Sequence, residues 1–445
     1  MANTPVSQRR DLVLGAAPLT PSTVARIADA ITPVTLRPPP SASRPYAAAP
    51  VPPPPPCPPC PDGAAEPVPR PGALTPPEVV RAVLLVRAQR LCLAAGRVRP
   101  ELLDLLLACL NHDILPAVPR PGAGAAPASG TADWLVGLLA GQGRVWHGDG
   151  VRPAGQVLHE RGLRACVPDP GERRLLATPA DATEPGYALL AAHRAAELAA
   201  VTRLCAALVT ETIQPPRTGY VPRVQDHRHR SGEFVPPPLA ADQAGAREVA
   251  AAAAGPADAL RAAAASADQW LAAQLTAPDQ GDAPARAAPR PPRGTPAPTW
   301  PDGGPRLRAL TRAARQVGAL LAGWAARADQ NPASGTRTTC GALLAEADRC
   351  GTADRPPAEA AFRAVALVED VAAIQLLVLC QLGAPRPERA PAGPAATGPA
   401  RRLVAAHALG HHRERTLAEA LDPVVRLIRT GALRSVCDSG GDVAV

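Results

Sequence analysis

Apolar residues recur at helical spacing in most parts of the chain that are poor in proline, and this period predicts helices rather than strands. Thr20 stands before Pro21 in the order typical of an N-cap followed by proline at the first helical position. The all-α pattern, with alanine-rich faces, suits a closely packed bundle. The predicted helices cover 75–96, 99–115, 185–212, 306–328, 358–382, 399–411 and 415–430, and 143–170 predicts a small strand-and-turn insert.

Proline-rich and low-complexity stretches divide these helical segments. The division predicts an N-terminal strand-turn-helix over 1–36, a disordered, polyproline-like segment over 37–76 and a helical domain over 77–235. A low-complexity region rich in alanine and proline follows over 236–305, with two stretches of helical composition. A C-terminal helical region over 306–445 completes the predicted organisation.

The basic residues are spread along the helices instead of forming one run. The 445-residue chain has a formal charge of +8, and its basic side chains other than histidine are all arginines. A nucleic-acid-binding surface would gather them on one face, and an aromatic content of 2% offers few platforms for stacking bases. The longest apolar run, 371–382, is too short to span a bilayer. We therefore expect a cytoplasmic protein that binds neither nucleic acid nor a membrane.

The ten cysteines are dispersed along the chain, which is typical of buried thiols in a reducing compartment. Cys57 and Cys60 have the spacing of half a zinc site, but no second pair of cysteines stands at a matching distance. The cysteine pattern therefore predicts no metal site.

Six segments resemble the histidine/phenylalanine ammonia-lyase family and follow one another in that family's order. They include DLVLGAAPLTPSTVARIADAITPVTL, PRVQDHRHRSGE and LDPVVRLIRTGAL. The resemblance implies an L-aspartase/ammonia-lyase-like all-α bundle with proline-rich loops and a small strand insert. It also implies a cytosolic tetramer in which several subunits build each active site. The six segments lie at 11–36, 76–122, 138–163, 222–233, 366–385 and 421–433.

The family forms its electrophile, a methylidene-imidazolone (MIO), from an Ala-Ser-Gly triplet of its own chain, so the resemblance implies no added cofactor. Glycine lets the backbone fold onto itself, and serine supplies a hydroxyl that is lost as water. Ala128, Ser129 and Gly130 form such a triplet in a loop of small residues. The following TADWLVG differs from the family's Asp-Leu-Ala-Pro-Leu-Ala-His, and counting from Gly122 places the family's triplet on 126–128. The triplet is therefore either an electrophile precursor or loop filler.

The resemblance carries five further positions over to this chain. Thr178 stands where the family has the Asn that holds the electrophile, and Tyr46 is the one tyrosine in the segment that should carry the catalytic base. Glu346 stands near the position of an acidic family residue, although a solvated glutamate on a helix surface is the alternative. Arg228 and Arg230 offer guanidinium groups for a substrate carboxylate, although their context matches a different segment of the family and an exposed basic loop is the alternative.

Three functions remain open on these residues. The first is a divergent lyase-like protein that has lost the reaction and binds a partner or a small amino-acid-like ligand. The second is an active ammonia-lyase or aminomutase that uses Ser129, and the third is another reaction carried by the 223–230 loop. We favour the first, because the base loop, the Asn and the surroundings of the triplet are altered together. Apolar faces on the C-terminal helices also predict a homo-oligomer, either a dimer or a tetramer.

Overall fold

The computed structural model confirms that the chain is built mainly from helices. The chain divides into two compact units, one formed by 1–190 with 268–301 and the other by 191–267 with 302–445. The structure describes residues 10–29, 34–38, 74–93, 98–120, 134–148, 150–176, 183–213, 243–276, 303–328, 336–350, 355–382, 397–408 and 417–438.

Within these ranges the strands are short and all precede residue 154, and the elements after them are helices. The strands are β1 (Arg10–Val13), β2 (Val34–Arg37), β3 (Leu115–Pro116), β4 (Arg144–His147) and β5 (Gly150–Pro153). The helices are α1 (Pro21–Ala28), α2 (Pro77–Leu93), α3 (Pro100–Asn111), α4 (Trp134–Leu139), α5 (Ala154–Glu160), α6 (Pro170–Leu176), α7 (Glu184–Ile213), α8 (Gln243–Thr276), α9 (Gly303–Ala328), α10 (Thr336–Arg349), α11 (Pro357–Leu382), α12 (Thr397–Ala408), α13 (Leu417–Arg429) and α14 (Ala432–Asp438).

The N-terminal segment of the first unit forms the predicted strand-turn-helix. Strands β1 and β2 pair in parallel, and α1 connects them. The Thr20 hydroxyl accepts a hydrogen bond from the Thr23 amide at 3.2 Å, which confirms the predicted N-cap. This bond satisfies one of the amides that the first turn of a helix leaves without a partner.

A buried amide side chain holds the N-terminal segment against α2. Gln89 of α2 accepts a hydrogen bond from the Gly15 amide and donates one to the Ala17 carbonyl, both at 2.8 Å. Asn111 of α3 makes the same kind of double contact with the backbone of Leu36, at 2.9 Å and 3.1 Å. These backbone groups are covered and lose their hydrogen bonds to water, and the side-chain amides of Gln89 and Asn111 supply hydrogen bonds in their place.

The predicted strand-and-turn insert is a β4–β5 hairpin whose first strand also pairs with β3. The short helix α5 follows it and was not expected. A Cβ atom at Gly155 of α5 would lie 2.8 Å from the Gly141 carbonyl oxygen, so glycine is required for this close approach. The insert therefore packs directly on the end of α4.

In the second unit, α9, α10 and α11 pack against one another. The unit also contains most of α7 and α8, and α12, α13 and α14. Gly318 of α9 lies at the centre of this packing, because a Cβ atom there would be 2.8 Å from side-chain atoms of both Leu344 and Val368. A buried ion pair fastens α13 to α11, since Arg429 donates to the fully buried Glu369 carboxylate at 2.9 Å.

Two expectations need correction. The two helical stretches expected in 236–305 form one helix, α8, which continues through Pro256 because alanine favours the helix on both sides of it. The apolar faces of the C-terminal helices are largely buried within the chain, and the exposed large apolar side chains of the described ranges are Leu93 and Val167. These faces therefore do not require a second copy of the chain to cover them. No helix in the described part of the chain is long and apolar enough to cross a membrane.

Candidate functional site

One of the eight predicted site residues lies within the described part of the structure. That residue is Glu346, in the last turns of α10. The Cys57 and Cys60 pair lies outside the described residues. So do the other seven predicted site residues, which are Tyr46, Ala128, Ser129, Gly130, Thr178, Arg228 and Arg230.

The described residues nevertheless show where three segments that contain predicted site residues begin or end. Leu74 and Pro119 form an antiparallel bridge in the first unit. Next to it, the Thr75 amide donates a hydrogen bond to the Val118 carbonyl at 2.8 Å. Leu74 and Thr75 are buried, so this short backbone ladder is shielded from water.

Two of these segments, those that contain Tyr46 and Ser129, meet at this bridge. The chain that carries Tyr46 ends at this bridge, and the chain that carries Ser129 leaves it immediately after residue 120. Helix α2 begins three residues beyond Leu74, at Pro77. The fold therefore starts the triplet loop and ends the proline-rich segment at the same place.

The segment that carries Thr178 precedes a helix that packs on α2. It leads into α7, and a Cβ atom at Gly186 of that helix would lie 2.6 Å from the Val79 carbonyl oxygen of α2. Only a glycine permits helices α2 and α7 to approach this closely. The Thr183 hydroxyl just before α7 is buried and makes no hydrogen bond within the described structure. Three predicted segments therefore have ends at the first turns of α2.

A buried ion pair holds the helix that precedes the Thr178 segment. The Glu172 carboxylate of α6 is 0% exposed and accepts hydrogen bonds from the Arg99 guanidinium at 2.8 Å and the Arg99 amide at 2.9 Å. It also accepts from the Asp169 amide at 2.9 Å, while Asp169 accepts from the Glu172 amide at 2.8 Å. This reciprocal pair is a capping box, and the spacing Asp-x-x-Glu is its signal in the sequence, which we did not use.

Hydrogen bonds decide the charge of this carboxylate. Burial acts to raise the pKa of Glu172, but the hydrogen bonds from the Arg99 side chain and from two backbone amides outweigh it and lower that pKa. The charged form is therefore kept at neutral pH inside the first unit. It fixes α6 against the start of α3.

Glu346 is held between two arginines. One of its oxygens accepts from Arg363 of α11, with the Nη2 donor at 2.8 Å and the Nε donor at 3.2 Å. The other accepts from Arg349, three residues further along α10, with Nε at 3.1 Å. The hydrogen bonds from Arg349 and Arg363 lower the pKa of Glu346. A carboxylate stabilised as the anion, with both oxygens occupied, is a weak proton acceptor.

Comparisons with known proteins agree with this architecture. Residues 71–235 match the profile of the aromatic amino acid lyase family. The histidine ammonia-lyase of Gloeobacter violaceus is 33% identical over 157 residues, which are 35% of this chain and 30% of that protein. The one from Deinococcus radiodurans is 47% identical over 95 residues, which are 21% of this chain and 18% of that protein.

This part of the chain is similar to the histidine and aromatic amino acid ammonia-lyase family. Its aligned part spans less than a third of the length of these two curated relatives. Solved structures extend the likeness in fold over nearly the whole chain. Histidine ammonia-lyase from Trypanosoma cruzi gives a TM-score of 0.62 at 17% identity, covering 97% of this chain and 96% of that one. Tyrosine aminomutase from Streptomyces globisporus gives 0.63 at 15% identity, covering 98% and 99%. At these identities the likeness shows the ammonia-lyase fold.

Proposed function

We propose that this chain is an ammonia-lyase scaffold with an eroded active site, which binds a partner or a small amino-acid-like ligand instead of eliminating ammonia. The observation that carries the proposal is the pairing of Glu346 with Arg349 and Arg363, which engages both oxygens of a predicted catalytic carboxylate. A general base needs an oxygen within reach of the substrate proton and a pKa near the working pH. Arginines engage both oxygens of Glu346 and lower its pKa, which makes it a weak proton acceptor, while the fold around it is kept.

Three sequence differences support the same proposal. Thr178 has a hydroxyl but no amide where the family has Asn. Tyr46 lies in a proline-rich segment that differs from the family's base loop. The residues after Gly130 also differ from those that follow the family's triplet. Each of these positions belongs to a different part of the family's active site, so their joint loss points to one lost function.

The alternative is an active ammonia-lyase or aminomutase that uses an electrophile formed from Ala128, Ser129 and Gly130. The observation in its favour is the common anchoring of three site segments at the first turns of α2. The cyclised triplet, if it forms, supplies an electrophilic methylene to the substrate amine and requires no added cofactor.

Intact-mass measurement of the purified protein decides between the two. We expect the full mass of the sequence, with the peptide that covers 120–143 unmodified. A Ser129→Ala variant lacks the hydroxyl that is lost in cyclisation, so it is the matched control. A wild-type peptide lighter than its sequence by two water molecules, beside an unmodified Ser129→Ala peptide, would refute the eroded site and favour the alternative.

We further propose a cytoplasmic location and a homo-oligomeric state, a dimer or a tetramer. The location is supported by the free thiols of the described cysteines, as expected in a reducing compartment. The oligomeric state rests on the family resemblance. Light scattering coupled to size-exclusion chromatography should give two or four times the mass of one chain, and the mass of a single chain would exclude this part of the proposal.

A further inference from the structure

Four arginines and two carboxylates gather where α9, α10 and α11 meet in the second unit. We name this cluster the arginine corner, and it has two more positive than negative charges. Ion pairs account for part of it, since Arg315 binds Asp348 at 2.6 Å and Arg363 binds Glu346 at 2.8 Å. The members of the arginine corner are Arg315, Arg349, Arg355, Arg363, Glu346 and Asp348.

Arg355 differs from the other arginines in its partner. Its Nη1 donates to the Sγ atom of Cys350 at 3.9 Å, and no carboxylate among the described residues pairs with it. Burial raises the pKa of the Cys350 thiol, although the positive charges of Arg355 and Arg363 act in the opposite direction. The thiol is therefore neutral at physiological pH and does not compensate the charge of Arg355.

Arg363 binds α10 one helical turn from this contact. Its partner Glu346 lies four residues before Cys350, whose Sγ atom donates a hydrogen bond to the Glu346 carbonyl at 3.3 Å, so two guanidinium groups contact neighbouring turns of one helix. Like charges on neighbouring turns repel each other, and an anion between them reduces this repulsion. Glu346 binds Arg363 but makes no contact with Arg355 in the described structure. A second anion would compensate the charge of Arg355.

We propose that the arginine corner binds a small anion, through a carboxylate or phosphate group held by Arg355 and Arg363, and that Glu346 is the internal carboxylate with which this anion competes. Arginine suits this role because its planar fork matches the paired oxygens of both groups. The corner is partly exposed, with side-chain exposures of 37% for Arg363 and 27% for Glu346, so a ligand can reach it from solvent.

Calorimetric titration of the full chain tests the proposal, with inorganic phosphate and acetate as separate probes in chloride buffer at constant ionic strength. We expect the wild type to bind at least one of them saturably. Glu346→Gln should tighten binding about fivefold, because the competing charge is removed and the Arg363 fork is released. Arg355→Gln and Arg363→Gln should each weaken it by about the same factor. Circular dichroism checks that each variant keeps its helices.

Asp348→Asn is the matched control, since it removes the same charge from the same helix while its partner is Arg315 of α9. We expect this variant to bind as the wild type does. Saturation with phosphate or with acetate supports the proposal and identifies the group recognised. The proposal is overturned if neither anion saturates the protein, or if Asp348→Asn and Glu346→Gln gain affinity equally, which would show a general effect of net charge.

Discussion

Replacement of Glu172 by alanine is expected to lower the free energy of unfolding by about 2–3 kcal/mol, because it removes the buried acceptor of several hydrogen bonds while the Arg99 side chain, 33% exposed, can still be hydrated. The Glu172 side chain is 0% exposed, and it accepts hydrogen bonds from the Arg99 side chain and from the amides of Arg99 and Asp169. Alanine would leave these donors facing a cavity without an acceptor. Urea-induced unfolding, followed by circular dichroism, measures the loss.

Glu160→Ala is the matched control for this prediction. Glu160 also pairs with an arginine, Arg152, but the side chains are 43% and 36% exposed. An exposed pair of this kind contributes little to stability, because water screens it. Equal losses in the two variants would show that the buried position of Glu172 adds nothing to its contribution.

The same ion pair makes stability depend on pH. Its hydrogen bonds keep the pKa of folded Glu172 below the ordinary value of 4.5. The stabilisation is therefore fully present above that ordinary value, and it is lost as the pH falls toward the folded-state pKa. Glu172→Ala should accordingly lose less stability than the wild type over this acid range.

Helices with a strong apolar period could be predicted closely because that signal is local. The helix predicted over 358–382 is α11, Pro357–Leu382, and the one predicted over 306–328 is α9, Gly303–Ala328. Helix α10 was missed because its buried side chains include the small residues Cys340 and Ala347, which give a weak period. The short α5 was missed because its seven residues are too few to establish a period.

The polar contacts could not be predicted because their partners lie far apart in the sequence. The Asp169 and Glu172 capping box is visible in four consecutive residues, but Arg99 stands 73 residues before Glu172. The function of Glu346 was left open for the same reason, since Arg363 lies 17 residues away on another helix. In the sequence, a surface glutamate cannot be told from a carboxylate held between two arginines until the packing of α10 on α11 is known.

Replacement of Gln375 by leucine is expected to raise the free energy of unfolding by about 1–3 kcal/mol, the usual cost of a buried polar group without a partner. Gln375 lies in the apolar stretch of α11 and is 0% exposed, and neither its amide oxygen nor its nitrogen makes a hydrogen bond in the described structure. Leucine has a similar volume and would remove the unsatisfied atoms without opening a cavity. Thermal and urea-induced unfolding of the purified variant measure the gain.

Gln89→Leu provides the opposite case in the same chain. Gln89 is also buried, at 5% exposure, but its amide bonds the backbone of Gly15 and Ala17 at 2.8 Å each. Leucine at this position would leave a backbone amide and a carbonyl without partners, so stability should fall by about 1–3 kcal/mol. The two substitutions are chemically identical and should have opposite signs. A loss of stability in Gln375→Leu comparable to that in Gln89→Leu would mean that Gln375 has a hydrogen-bond partner in solution, such as a buried water molecule.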